Sequence, residues 1–165
     1  MTMEKSEMSI LARHMKKAPV DLKAIFAELG IHFEEACLDS ASGSIVRDGE
    51  KFIVTVNENE SANRQRFTAA HELAHYLLHR DLMGDGERMH RHVDSLFDGG
   101  QPSGDVVFKR EHEIQANRIA AQIVMPTALI EEKFQTNKDV AALARDFGVS
   151  KAAMEIRLKT LRLLP

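Results

Sequence analysis

The residues most able to do chemistry lie in the segment 67–79, FTAAHELAHYLLH, where imidazoles and one carboxylate interrupt an apolar run. His71 and His75 are four residues apart, so on a helix they share one face and both rings can reach one metal ion. Glu72 lies one step round the helix, near such an ion but not on it. There a carboxylate can take a proton from water and return it to a leaving amine. This combination is typical of catalytic zinc sites.

A third ligand is offered downstream by REHEIQANRIA, residues 110–120. Glu113 can supply a carboxylate from a second helix. Asn117, four residues later, can hold a ligand imidazole by its other nitrogen. The H-E-x-x-H motif alone is short, and ordinary hydrogen-bonded core residues are the alternative interpretation of these side chains. The long apolar helix and the third ligand favour the metal site.

The first half of the sequence predicts a helix followed by a small sheet. Pro19 and Asp21 begin a helix that Gly30 ends. Three short segments with β-branched or alternating residues then predict strands, at 31–38, 43–48 and 51–57. The turn at 47–50 predicts a hairpin between the last two strands. We therefore expect an antiparallel sheet of about three strands.

The second half is mainly helical. Apolar residues recurring at three- and four-residue spacing predict a buried helix from about Ala62 to His79. Residues 80–105 hold many glycines and predict a long loop with one short helix at 92–97. A second long helix follows at 107–125, ended by Pro126, and three more helices follow it. The fold class predicted is α+β, with the small sheet packed beside a mainly helical core.

Length and composition predict one globular domain in a reducing compartment. The chain has 165 residues, is 44% apolar and 28% charged, and carries a net charge of −3, so it lacks the basic excess of nucleic-acid binders. One cysteine allows no internal disulfide, and neither a signal peptide nor a membrane span is evident. We expect a cytoplasmic single domain, 1–165, comprising an N-terminal segment (1–18), a catalytic core (19–126) and a helix-turn-helix-like extension (127–165).

Four segments, in order, resemble the ImmA/IrrE family of gluzincin-like metallo-endopeptidases: PVDLKAIFAELGI, KFIVTVNENESANRQRFTAAHELAHYLLH, EIQANRIAAQIVMP and VAALARDFGVSKAAMEIRLKTL. The resemblance implies a Zn²⁺ ion held by His71, His75 and Glu113, with Glu72 as the general base. Asn117 stands where gluzincins generally have an acid. A neutral amide should raise the basicity of the histidine that it contacts less than a carboxylate would. The implied partner is a helix-turn-helix repressor or antitoxin that the enzyme cleaves or inactivates.

Two other functions stay open. Gly148, Ser150 and a helix bearing Lys151 and Arg157 also fit a DNA-reading helix-turn-helix. Against direct nucleic-acid binding stand the overall acidity and four apolar residues that require a core, Met154, Ile156, Leu158 and Leu161. A bracing or partner-docking role for these helices is favoured. The third possibility is a toxin or regulatory binding partner that does little proteolysis.

The remaining polar residues receive simpler interpretations. We expect His79 to cap the helix C-terminus or lie at the surface, with a place on the metal face, one turn after His75, as the alternative. We expect Tyr76 to be a core aromatic whose alternative is an oxyanion donor. Cys37 is expected to be a small buried residue at a strand end, with a zinc-blocking thiolate as the alternative. Arg64 and Arg66 either contact substrate or pair with the acidic turn NENES.

Overall fold

The computed structural model describes residues 3–86, 88–91 and 108–165, with the backbone alone for 88–91. In chain order the elements are α1 (Lys5–His14), α2 (Leu22–Glu28), β1 (His32–Ala36), β2 (Gly43–Asp48), β3 (Lys51–Asn57), α3 (Ala62–His79), a 3₁₀ turn (Arg80–Leu82), β4 (Arg88–Arg91), α4 (Arg110–Val124), α5 (Thr127–Thr136), α6 (Val140–Phe147) and α7 (Lys151–Thr160). The predicted α+β class is confirmed. The helix predicted at 92–97 lies outside the described residues.

The sheet is mixed, whereas the sequence predicted an antiparallel one. Its strand order is β1-β3-β2-β4. The predicted hairpin is present, with Asp48 opposite Lys51 and Gly49 in the left-handed region at φ 60°. Because β3 inserts between β1 and β2 and runs opposite to β2, it runs parallel to β1. β4 pairs antiparallel with β2 inside the stretch predicted as a loop.

Helix α3 lies against this sheet, and Gly43 permits the close contact. A Cβ at Gly43 would collide with the Cγ2 methyl of Thr68 on α3 and would lie 3.2 Å from the backbone oxygen of Thr55. Both Gly43 and Thr68 are buried. Strand β2 can therefore approach the helix only where a side chain is missing.

Helix α1 was not predicted, and a long-range ion pair anchors it. Glu7 is buried on α1, and its Oε1 lies 2.8 Å from Nη1 of Arg80, which follows α3. The Arg80 guanidinium also lies over the ring of Tyr76, 4.8 Å from its centroid. A contact between residues so far apart in the chain leaves no signal in local periodicity.

The last two helices are joined as the sequence predicted and are held to the rest by Arg157. Gly148 ends α6 in the left-handed conformation, at φ 65°. Arg157 is buried and donates from Nε to the backbone oxygen of Met125, at 3.1 Å, and from Nη2 to Oγ1 of Thr127, at 2.9 Å. Ile156, predicted to need a core, is instead 56% exposed. It lies away from the face of α7 that the buried residues form, namely Ala153, Met154, Arg157 and Leu158.

The described residues contain no helix with the length and apolar character needed to cross a lipid bilayer.

Replacing Glu7 with Ala should lower the free energy of unfolding by about 2–3 kcal/mol, because it leaves the nearly buried Arg80 charge with only the exposed carboxylate of Glu4, 3.7 Å away. Urea denaturation followed by circular dichroism measures this. The control is Arg13→Ala, which breaks the exposed pair with Glu28 and should change stability far less. Equal effects of the two substitutions would contradict the anchoring role of Glu7.

Candidate metal centre

Helices α3 and α4 pack against each other and carry the site. Helix α3 begins at Ser61, whose Oγ accepts a hydrogen bond from the backbone N–H of Arg64. Alanines recur on the buried faces of both helices around the polar residues, namely Ala70, Ala74, Ala116 and Ala120, all with no exposed area. Small side chains allow the two helix axes to come close enough for imidazoles on one to meet a carboxylate on the other.

The structure brings together His71, His75 and Glu113, the three residues expected to bind a metal. Nε2 of His71 lies 3.0 Å from Nε2 of His75 and 3.0 Å from Oε2 of Glu113. Nε2 of His75 lies 3.4 Å from Oε1 of Glu113. Ligand atoms in a tetrahedral zinc shell, each about 2.0–2.1 Å from the ion, are about 3.3 Å apart. The group can therefore hold a metal ion.

The contact between His71 and Asn117 shows which nitrogen of the ring faces the site. Nδ1 of His71 lies 2.8 Å from Oδ1 of Asn117. An amide oxygen only accepts, so Nδ1–H donates to it, and Nε2 of the neutral ring carries a lone pair. That lone pair faces a carboxylate oxygen of Glu113 and a second imidazole. Such electron-rich atoms repel one another at 3.0 Å unless a proton or a metal ion lies between them, and two nitrogens with a carboxylate are a donor set that suits a metal ion.

The other imidazole, His75, has two neighbours that sequence reasoning missed. Its Nδ1 lies 3.0 Å from Nδ1 of His79, and the Phe108 ring stacks on its face at a centroid distance of 4.2 Å. The expectation of a capping or surface role for His79 is wrong, because His79 is 5% exposed and its Nε2 lies 3.0 Å from Oε1 of Gln115. The repeated four-residue spacing of 71, 75 and 79 was the available signal.

Glu72 follows the candidate ligand His71 in α3 and lies beside the start of β2. It is fully buried, and its Oε1 is 3.6 Å from where a Cβ on Gly43 would lie. The carboxylate therefore occupies the space between α3 and the start of β2. It remains next to His71 in sequence, outside the three residues that can share one ion.

Tyr76 and Cys37 lie away from this centre. Tyr76 is half-buried and packs against the core, and burial, followed by the charge of Glu7, raises the pKa of its hydroxyl. Cys37 is exposed, and its Sγ accepts from Nδ2 of Asn59 at 3.2 Å. The expectation of a buried cysteine is wrong, because β1 is an edge strand whose end faces solvent.

The two arginines ahead of the site act within the protein. Nε of Arg64 lies 4.0 Å from Oε1 of Glu60, an acid of the turn NENES, as the salt-bridge interpretation predicted. Arg66 instead donates from Nη1 to the backbone oxygen of Val20 at 2.6 Å, and burial lowers its pKa. It holds the segment before α2 against α3.

Gly43→Ala should lower the free energy of unfolding by about 1–3 kcal/mol, because the added methyl forces β2 away from α3 beside Glu72. The neighbouring Ser44→Ala is the control, since it adds no volume and the described structure gives the Ser44 hydroxyl no hydrogen-bond partner. Thermal unfolding of both variants checks this. Equal stability of the two would show that the close helix–sheet contact does not need the glycine.

Comparisons with known proteins identify the family and the fold. The sequence model of the peptidase M78 family, described as an IrrE N-terminal-like domain, matches residues 26–159. No curated protein matches the chain. Among solved structures, a Mycobacterium tuberculosis transcriptional regulator has a similar fold, with a TM-score of 0.59 at 15% identity. The match covers 95% of this chain but 47% of the regulator, so the chain spans about half the regulator's length. Because the family model matches most of this chain, the chain belongs to the peptidase M78 family, a family of metallopeptidase type.

Proposed function

We propose that this chain is a zinc-dependent endopeptidase in which His71, His75 and Glu113 hold Zn²⁺. The observation that carries the proposal is the meeting of two imidazole nitrogens, 3.0 Å apart, with the carboxylate of Glu113, one oxygen of which lies 3.0 Å from His71 and the other 3.4 Å from His75. Two different helices contribute these groups. Two nitrogens and one oxygen in this spacing leave room in a tetrahedral shell for one further ligand, as catalytic zinc requires. Membership of the peptidase M78 family supports the same assignment.

Zinc, when bound, supplies Lewis acidity, which polarises a peptide carbonyl and lowers the pKa of water at the site towards about 7. The protein supplies the proton transfers. Glu72 accepts the proton of the attacking water and returns it to the leaving amine. Its burial beside β2 keeps the carboxylate in one position and away from bulk water. Asn117 fixes the ring of His71 so that Nε2 faces the ion.

For the substrate we propose a cytoplasmic helix-turn-helix repressor or antitoxin. Supporting it are the sequence resemblance to ImmA/IrrE peptidases, the family's description as IrrE N-terminal-like, and a fold shared with a protein described as a transcriptional regulator. If the neighbouring gene encodes a helix-turn-helix protein, coexpression with that protein, followed by mass spectrometry of its fragments, identifies the cleaved bond.

Direct DNA reading by α6 and α7 has less support. Arg157, one of the basic residues expected on the reading face, is buried against Met125 and Thr127. Lys151 pairs with Glu155 at 3.6 Å. Together with a net charge of −3, this leaves a weak electrostatic basis for binding phosphates. The helices serve better as a brace or as a docking surface for the protein substrate.

Glu72→Gln should keep zinc at wild-type stoichiometry and lower the rate of substrate cleavage by at least about 10²-fold, because an amide cannot accept the proton. Metal content by mass spectrometry and cleavage of the purified repressor measure the two effects. Glu111→Gln is the control: it also removes one acidic charge from the neighbourhood, but its side chain is 66% exposed, and it should retain full activity.

A wild-type cleavage rate in Glu72→Gln would contradict the role of Glu72 as the base. If the wild-type protein inactivates the repressor without cutting it, and Glu72→Gln does so equally well, the regulatory-binding alternative replaces the peptidase.

A further inference from the structure

A chain of contacts runs outward from the second imidazole of the metal centre. Nδ1 of His75 lies 3.0 Å from Nδ1 of His79. Nε2 of His79 lies 3.0 Å from Oε1 of Gln115 on α4. The two histidines are buried, and the ring of Phe108, which is 1% exposed, stacks on His75 and lies 5.5 Å from His79. In such surroundings each proton position is set by the neighbouring groups.

The protons along this chain can be assigned from its outer end. The amide oxygen of Gln115 only accepts, so Nε2–H of His79 donates to it. Nδ1 of the neutral His79 ring then carries a lone pair, and Nδ1–H of His75 must donate to it. His75 is thereby left with its lone pair on Nε2. That nitrogen faces His71 and Glu113, at 3.0 and 3.4 Å.

The opposite orientation of the Gln115 amide would reverse every step. Its NH₂ would donate to Nε2 of His79, Nδ1–H of His79 would donate to Nδ1 of His75, and Nε2 of His75 would carry a proton. A protonated Nε2 cannot bind a metal ion. The orientation of one amide is therefore coupled, through His79, to whether His75 can act as a ligand.

We propose that His79 and Gln115 are positioning residues that hold His75 in its metal-binding tautomer, and that this relay does for His75 what Asn117 does for His71. The proposal rests on the metal site of the proposed function. Each imidazole of the pair is then fixed by an amide oxygen, directly for His71 and through a second imidazole for His75. Partners of this kind typically change metal affinity about 10–100-fold when they are lost.

Gln115 is the better residue to vary, because it is exposed and, with His79, lines an open cavity of about 390 Å³. Substitution there should leave the fold intact. Gln115→Met removes the acceptor at similar length. Gln115→Glu keeps it as a carboxylate, which can only accept and so favours the required direction of the relay.

The test is the Zn²⁺ dissociation constant of the full chain, measured by competition with a chromophoric chelator at fixed pH. Gln115→Met should bind Zn²⁺ about 10–100-fold more weakly, and Gln115→Glu at least as tightly as the wild type. Gln135→Met makes the same change at an exposed position of α5 and should have no effect. If Gln115→Met and Gln115→Glu weaken Zn²⁺ binding equally, or if Gln115→Met does not weaken it, the relay is overturned.

A second pair of variants tests the middle of the relay. His79→Asn places an amide oxygen near the position of Nδ1 and should largely preserve Zn²⁺ affinity, whereas His79→Leu removes the acceptor and should weaken it as Gln115→Met does. Circular dichroism confirms that each variant is folded. Wild-type affinity in a folded His79→Leu protein would contradict the proposal.

Nitrogen-15 NMR of the metal-free protein reads the tautomer itself, at a pH where the rings are neutral. The wild type should show His75 protonated on Nδ1, and Gln115→Met should show a mixture. A wild type protonated on Nε2 would overturn the relay. If the wild type fails to bind Zn²⁺ at all, the metal site and the relay both fail. If it binds tightly and the variants match it, the relay alone fails.

Discussion

Repulsion between electron-rich ligand atoms is the constraint on which this structure depends. Two imidazole nitrogens and a carboxylate group are held within 3.0–3.4 Å of one another in a nearly dry environment. Lone pairs this close lower stability unless a proton or a metal ion lies between them, because buried polar atoms require a partner of opposite polarity. A metal ion turns the same arrangement into a favourable one. The packing of α3 on α4 therefore brings together a group of side chains that could hold a metal ion.

The surrounding structure fixes the direction of each ligand. Asn117 accepts a hydrogen bond from Nδ1–H of His71, and the ring of Phe108 stacks on the ring of His75. The missing side chain at Gly43 lets the sheet come close to α3 and encloses Glu72. The candidate ligands His71 and His75 and the proposed base Glu72 are thus all carried by one helix.

Much of this could be predicted because it depends on local periodicity. The bounds of α3, Ala62–His79, agree with the apolar repeat, and Glu113 and Asn117 stand one turn apart on α4. What failed depends on distant contacts. The parallel pairing of β1 with β3 follows from where β3 inserts, and the burial of His79 follows from Gln115 and Phe108, which lie far along the chain.

X-ray absorption spectroscopy at the zinc edge of the purified, zinc-loaded chain shows whether His71, His75 and Glu113 bind the ion. We expect one tightly bound ion with two imidazole nitrogens and one or two oxygens, at about 2.0–2.2 Å, and loss of one imidazole when His75 is replaced by Ala. A spectrum with a sulfur ligand, with no imidazole, or unchanged by His75→Ala would contradict this expectation.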